Sequence, residues 1–153
     1  MKTNTLLFTA LISILTFSSC NDDEDSSTDP DFSNLIVGIW EIDKQSLNDN
    51  ILDFEDECQA IETTEFKMDG TFYITELDPV GEDCVEANPS LGNWTIQNST
   101  ITMNYSQVGD LTVDETYIFE ILELSDSNLK IKTDSVDIDG DGEADDFELQ
   151  FVK

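Results

Sequence analysis

Leu91-Gly92-Asn93-Trp94-Thr95-Ile96-Gln97, Asn98-Ser99, Thr100-Ile101-Thr102-Met103-Asn104-Tyr105-Ser106 is the stretch that decides the fold. In its second half Ile101, Met103 and Tyr105 alternate with Thr100, Thr102 and Asn104. A period of two means one face buried and one wet, so each half reads as a half-buried strand. Asn98-Ser99 is turn chemistry between them, and the unit is a β-hairpin.

The same pattern repeats on both sides. Upstream lie Val37–Asp43, Thr63–Met68 and Thr71–Leu77, the last two flanking an Asp69-Gly70 turn. Downstream lie Glu115–Leu122, Asn128–Thr133 and Phe147–Val152, with Ser125-Asp126-Ser127 as a turn. From Leu35 onward no segment carries a convincing helical stripe. Eight short antiparallel strands in sequence order predict an all-β fold. A small sheet with exposed edges is a liability, and closing it into an up-and-down β-barrel removes them. An open β-sandwich is the alternative architecture.

Length and charge bound the rest. The chain has 153 residues, enough for one domain, with 35 Asp+Glu against 6 Lys+Arg and a net charge of −29. All the basic residues are lysines, and there is no His. Nucleic acid needs a basic footprint that is missing here. The usual general base and every His-containing triad are missing as well. Nothing singles out two carboxylates among the thirty-five as an acid–base pair. No enzyme is expected.

The N-terminal region reads as an address. Lys2 precedes the apolar run Leu6–Phe17, which is too short for a lasting membrane span and suits a secretory signal over residues 1–19. Ser18-Ser19-Cys20 resembles the end of a bacterial lipoprotein signal, which implies cleavage before Cys20 and lipidation (a palmitate-type acyl chain among others) of that cysteine. An ordinary signal peptide is the alternative. The acidic run Asn21-Asp22-Asp23-Glu24-Asp25-Ser26-Ser27 is similar to the surface-export signal of Bacteroidota-type lipoproteins. The resemblance implies a protein lipid-anchored to the outer membrane and exposed at the cell surface. Residues 20–34 read as an acidic flexible tether, and residues 35–153 as the domain.

Three cysteines in an exported protein leave one odd thiol. Lipid on Cys20 accounts for it, leaving Cys58 and Cys84 to pair in an oxidising compartment. They lie about equally far to either side of the Asp69-Gly70 turn, so antiparallel pairing brings them to the same end. Two free thiols are the alternative.

Three motifs carry a family resemblance. Leu35-Ile36-Val37-Gly38-Ile39-Trp40 resembles the opening Gly-x-Trp strand of lipocalins. Phe66-Lys67-Met68-Asp69-Gly70-Thr71-Phe72 and Gly92-Asn93-Trp94-Thr95-Ile96 are similar to landmarks of bacterial lipocalin-like lipoproteins. The resemblance covers about residues 35–153 and implies an eight-stranded barrel with a binding role. The chain departs from true lipocalins in having no arginine to pack across Trp40. Trp40, Phe66, Phe72, Trp94, Met103, Tyr105 and Phe119 are candidates to line the interior, as ligand-binding residues or simply as core. A shallow apolar pocket at one mouth is expected.

The sharpest chemical motif is Asp137-Ile138-Asp139-Gly140-Asp141-Gly142-Glu143-Ala144-Asp145-Asp146-Phe147-Glu148. It follows the twelve-position calcium loop, with Asp137, Asp139 and Asp141 at one, three and five. Gly142 stands at six, Glu143 offers a carbonyl at seven, Asp145 is at nine and Glu148 at twelve. The flanks are strands, so the expectation is a structural Ca2+ clip on the last hairpin. A solvated acidic turn is the alternative. Taken together, the sequence predicts a non-catalytic binding module for a small apolar or sugar-like ligand, with a membrane-protein partner as a further option. The alternative is an interaction protein whose barrel is filled.

Overall fold

The structure, a computed structural model, describes residues 32–137, 140 and 142–153. The signal segment 1–19, Cys20 and the tether as far as residue 31 lie outside the described residues.

Strand β1 is Gly38–Leu47, β2 Asn50–Leu52, β3 Thr63–Phe66, β4 Thr71–Thr75, β5 Leu77–Val80 and β6 Asp83–Glu86. They are followed by β7 Ser90–Gln97, β8 Thr100–Val108, β9 Leu111–Leu124, β10 Asn128–Val136 and β11 Asp145–Val152. The sheet runs β11-β10-β9-β8-β7-β4-β3-β1, and β1 pairs back onto β11. Every pairing is antiparallel. The sheet is therefore a closed eight-stranded barrel, and the sandwich is excluded. β2 extends the ring beside the second half of β1, where β3 has ended. β5 and β6 form a separate hairpin.

Up-and-down order sends alternate connections to opposite ends. One end carries the β3–β4, β7–β8 and β9–β10 turns together with the C-terminus. It is closed by α1, Phe32–Ile36, a single helical turn. Phe32 and Ile36, four apart, pack into the core, and Ile36 is fully buried. The expected tether therefore ends earlier than residue 34, because residues 32–34 belong to α1. One turn is too short to show as a periodic stripe, which is why the sequence reading missed it.

The motifs of the sequence meet at this closed end. Trp40 is fully buried and its indole N–H donates to the Ile36 carbonyl at 2.6 Å. Trp94 donates its indole N–H to the carbonyls of Lys67 and Thr71, at 3.2 and 3.0 Å, on either side of the Asp69-Gly70 turn. Its ring meets Phe66 edge-on at 5.6 Å. Gly92 allows β7 to approach β8 closely, since a Cβ there would lie 1.9 Å from the Asn104 carbonyl oxygen.

Several strands run longer than predicted, β9 most of all. β9 starts at Leu111, directly after a Gly109-Asp110 turn in which Gly109 has a φ of +53°. Its first residues pair with the end of β8 but are largely exposed, so they lack the apolar alternation that reveals a strand. The β5–β6 hairpin falls between the predicted strands, because Pro79 and its acidic neighbours mask the strand signal.

Candidate functional site

The opposite end of the barrel is open, and there the inward rows change character. Along β4 the row runs Phe72, Ile74 and then Glu76; along β9 it runs Phe119, Tyr117 and then Glu115. Along β3 it runs Phe66, Thr64 and then Glu62, and along β11 it runs Phe151, Leu149, Phe147 and then Asp145. Because side chains alternate strictly, the last residue of each row belongs to the interior side even where the strand has frayed into the mouth. Deep in the barrel these rows are aromatic and aliphatic. At the rim they are acidic.

A cavity of about 390 Å³ occupies this mouth. Its floor and walls are Tyr105, Val108, Tyr117, Phe119, Phe147 and Leu149, and Ser90, Thr133, Glu76 and Glu115 supply its polar groups. That is a volume suited to a small molecule, with the mostly apolar lining and few placed polar groups such sites have. The polar groups are ordered by the protein itself. Ser90 donates its hydroxyl to Glu76 Oε1 at 3.1 Å, and Tyr117 donates its phenol to Glu115 Oε2 at 2.9 Å. Tyr105 stands edge-on to Tyr117 at 5.2 Å and to Phe72 at 4.9 Å.

Titration follows from these surroundings. Burial, with the neighbouring Tyr117 and Glu76, raises the Tyr105 phenol above its ordinary value, so it stays a protonated donor. The bond to Glu115 raises Tyr117 in the same direction. Burial also raises Glu62, helped by the negative charges of Glu76, Asp56 and Asp78 and opposed by the Leu77 amide that it accepts at 3.0 Å.

The predicted interior residues divide between floor and core. Tyr105 and Phe119 line the cavity. Trp40, Phe66, Phe72, Trp94 and Met103 do not; they are buried in the packed core below it, with Ile101, Leu129 and Phe151. The polar members Glu76, Ser90 and Glu115 were missed, since no residue type distinguishes them among so many acids. Following the inward row past the last apolar residue would have found them.

The mouth is braced from outside. Cys58 and Cys84 form the disulfide, with Cα atoms 5.4 Å apart, and it fastens the β5–β6 hairpin to the loop preceding β3. Closing a loop of this size contributes about 3.5 kcal/mol through the unfolded state.

The acidic loop between β10 and β11 also lies at this end, with Ile138, Asp139 and Asp141 outside the described residues. Asp137 gathers the loop: its carboxylate accepts the Gly140 amide at 2.7 Å and the Gly142 amide at 3.0 Å. Glu143 is exposed. The two later positions of the motif are turned to protein partners. Asp145 is buried and accepts Asn48 Nδ2 at 2.7 Å, while Glu148 sits within β11 and pairs with Lys130 at 2.6 Å. Strand pairing already begins at Asp145, and that takes Glu148 out of the loop. Among the described residues no group of three or more acidic side chains is placed to hold a metal.

At the closed end Lys153 packs across Trp40. Its Nζ lies 4.2 Å from the Trp40 ring centre and donates to the carbonyls of Leu35 and Val37 at 2.9 and 3.0 Å. Burial lowers its pKa, an effect partly offset by Asp126.

Comparison with known proteins agrees with this architecture. The family model described as a lipocalin-like domain matches residues 36–131. A lipocalin-like protein from Bacteroides uniformis superposes with a TM-score of 0.50 at 13% identity, covering 77% of this chain and 97% of that one. A protein from Bacteroides eggerthii does so with a TM-score of 0.51 at 13% identity, covering 76% and 98%. At this identity the two structures speak for the fold. No curated protein matches the chain.

Proposed function

Because the chain belongs to the lipocalin-like domain family, we propose that it is a non-catalytic binding module that holds a small apolar or sugar-like molecule in the open mouth of its barrel. The observation that carries this reading is the cavity of about 390 Å³ between Tyr105, Tyr117, Phe119 and Leu149, above the buried core of Trp40, Phe66, Phe72 and Trp94. The domain is exported, lipidated at Cys20 and held at the outer surface of the outer membrane. The apolar run before Cys20 and the acidic run after it support this address. Twelve tether residues span at most roughly 40 Å, and a net charge of −29 keeps the barrel off an anionic lipid surface.

The β10–β11 loop serves as a weak calcium clip, supported by the motif spacing and by the fold of the loop about Asp137. With Glu148 committed to Lys130, the ion relies on Asp137, Asp139, Asp141 and the Glu143 carbonyl. Its affinity then belongs at the weak extracellular end of the range, about 10⁻³ M. Millimolar calcium is expected to raise the melting temperature of the wild-type chain and not that of Asp139→Ala. Identical melting curves with calcium and with chelator would remove the clip and leave the binding site standing.

The binding reading is tested with a neutral fluorescent probe, N-phenyl-1-naphthylamine, titrated into the full chain. Saturable uptake is expected, and Val108→Trp, which fills the cavity from the rim, abolishes it. A wild-type chain that takes up no probe contradicts the reading.

A further inference from the structure

Resting on the binding reading above, we propose that the mouth cavity selects small organic cations: an apolar, preferably aromatic body seated on Tyr105, Tyr117 and Phe119, with a protonated amine held at the rim by Glu76 and Glu115. Cavity, charge and ring chemistry all favour this occupant.

The cavity receives negative charge from its own walls. Glu76 and Glu115 both line it, each bound to the protein through one carboxylate oxygen, by Ser90 and Tyr117 respectively. The second oxygen of each is the acceptor assigned to the ammonium. Glu62 and Asp145 end the inward rows of two further strands and add to the same field. No positive charge answers them from within, since no lysine lines the cavity. The five lysines of the described residues are engaged elsewhere. Lys44, Lys67, Lys130 and Lys132 pair with Asp43, Glu65, Glu148 and Asp146, and Lys153 lies on Trp40 at the far end.

An anionic ligand, such as a fatty acid, would bring its carboxylate against Glu76 and Glu115 with nothing to neutralise it. A hard ion such as Ca2+ needs six to eight oxygens, whereas the walls here are Val108, Phe119, Phe147 and Leu149 beside two phenols. An ammonium head is served by two carboxylates and by the faces of Tyr105 and Tyr117. Its apolar body is served by the rest. The charge of the whole molecule draws cations toward the mouth and raises the encounter rate at low salt.

Three probes of one shape test the proposal: 1-naphthylmethylamine, 1-naphthalenemethanol and 1-naphthoate, titrated calorimetrically into the full chain at 0.15 M salt. The amine is expected to bind at least about tenfold tighter than the alcohol, and the acid not detectably. Glu76→Gln with Glu115→Gln should remove the preference, this variant binding the amine no tighter than it binds the alcohol. Glu123→Gln, at the closed end, should change neither. Equal binding of amine and alcohol to the wild type would overturn the cation preference and leave the binding reading intact. An amine preference that survives the double substitution, or that Glu123→Gln also removes, would overturn it as general attraction to an acidic surface. Failure of all three probes to bind would refute both the preference and the binding reading.

Discussion

The two ends of this barrel are built from the same strands and solve opposite problems. The closed end buries two Trp side chains, satisfies both indole N–H groups with backbone carbonyls and is sealed by α1 and Lys153. The open end has tyrosines, carboxylates and a cavity of about 390 Å³ in the corresponding positions. Along β4 the change takes three inward positions, from Phe72 through Ile74 to Glu76. Side-chain packing therefore fills one end and leaves space at the other.

The division is tested first by large-to-small substitutions. Trp40→Ala, at the closed end, should cost about 3–5 kcal/mol in denaturant unfolding, since it opens a void, takes the donor from the Ile36 carbonyl and removes the ring beneath Lys153. Val108→Ala, beside the cavity, should cost less than about 1 kcal/mol because little packing is lost there. Similar costs for the two would erase the distinction.

Breaking the disulfide with paired Cys58→Ser and Cys84→Ser should cost about 3.5 kcal/mol, read as a lower midpoint. The β1–β11 closure does not involve the bridge, so the circular dichroism of the native state should keep its β signature. Lys153→Met should cost about 1–2 kcal/mol by losing two charged hydrogen bonds and the contact with Trp40. A neutral outcome would mean that α1 seals this end unaided.

The smallest effect is electrostatic. Glu62 has its pKa raised above the ordinary value of 4.5 by burial and by nearby acids. The folded state therefore holds its proton more tightly than the unfolded chain does. The associated stability is fully present below pH 4.5 and is lost as pH rises through the native pKa. Glu62→Gln can still accept the Leu77 amide. It should raise stability at pH 7 by a few tenths of a kcal/mol, the shift being discounted for exposure, and flatten the acid-side slope. An unchanged slope would remove Glu62 from the account.

How far the sequence foretold this molecule follows the same division. The eight staves were legible because one face of each is buried and the other wet, most plainly in Ile101, Met103 and Tyr105. The hairpin turns at Asp69-Gly70 and Asn98-Ser99 were legible from turn chemistry alone. α1 was hidden because five residues hold a single turn, and the start of β9 because Leu111, Thr112 and Asp114 are exposed and show no apolar alternation. Lys153 over Trp40 joins two residues at opposite ends of the domain, a contact that no local spacing encodes. At the site, aromatic residues suggested an interior but could not be sorted into floor and core. Tyr105 and Phe119 turned out to face the cavity, whereas Trp40, Phe72, Trp94 and Met103 lie packed beneath it. Glu76 and Glu115 became visible only once the barrel gave each strand an inside.

The contrast between a filled end and a receptive end is tested most directly by methyl-resolved NMR during titration with 1-naphthalenemethanol. The shifts should concentrate on Val108 and Leu149 and spare Ile36, Ile101 and Leu129. Shifts centred on those three closed-end residues, or on the exposed Ile39 and Ile51, would contradict the account, as would no shifts at all.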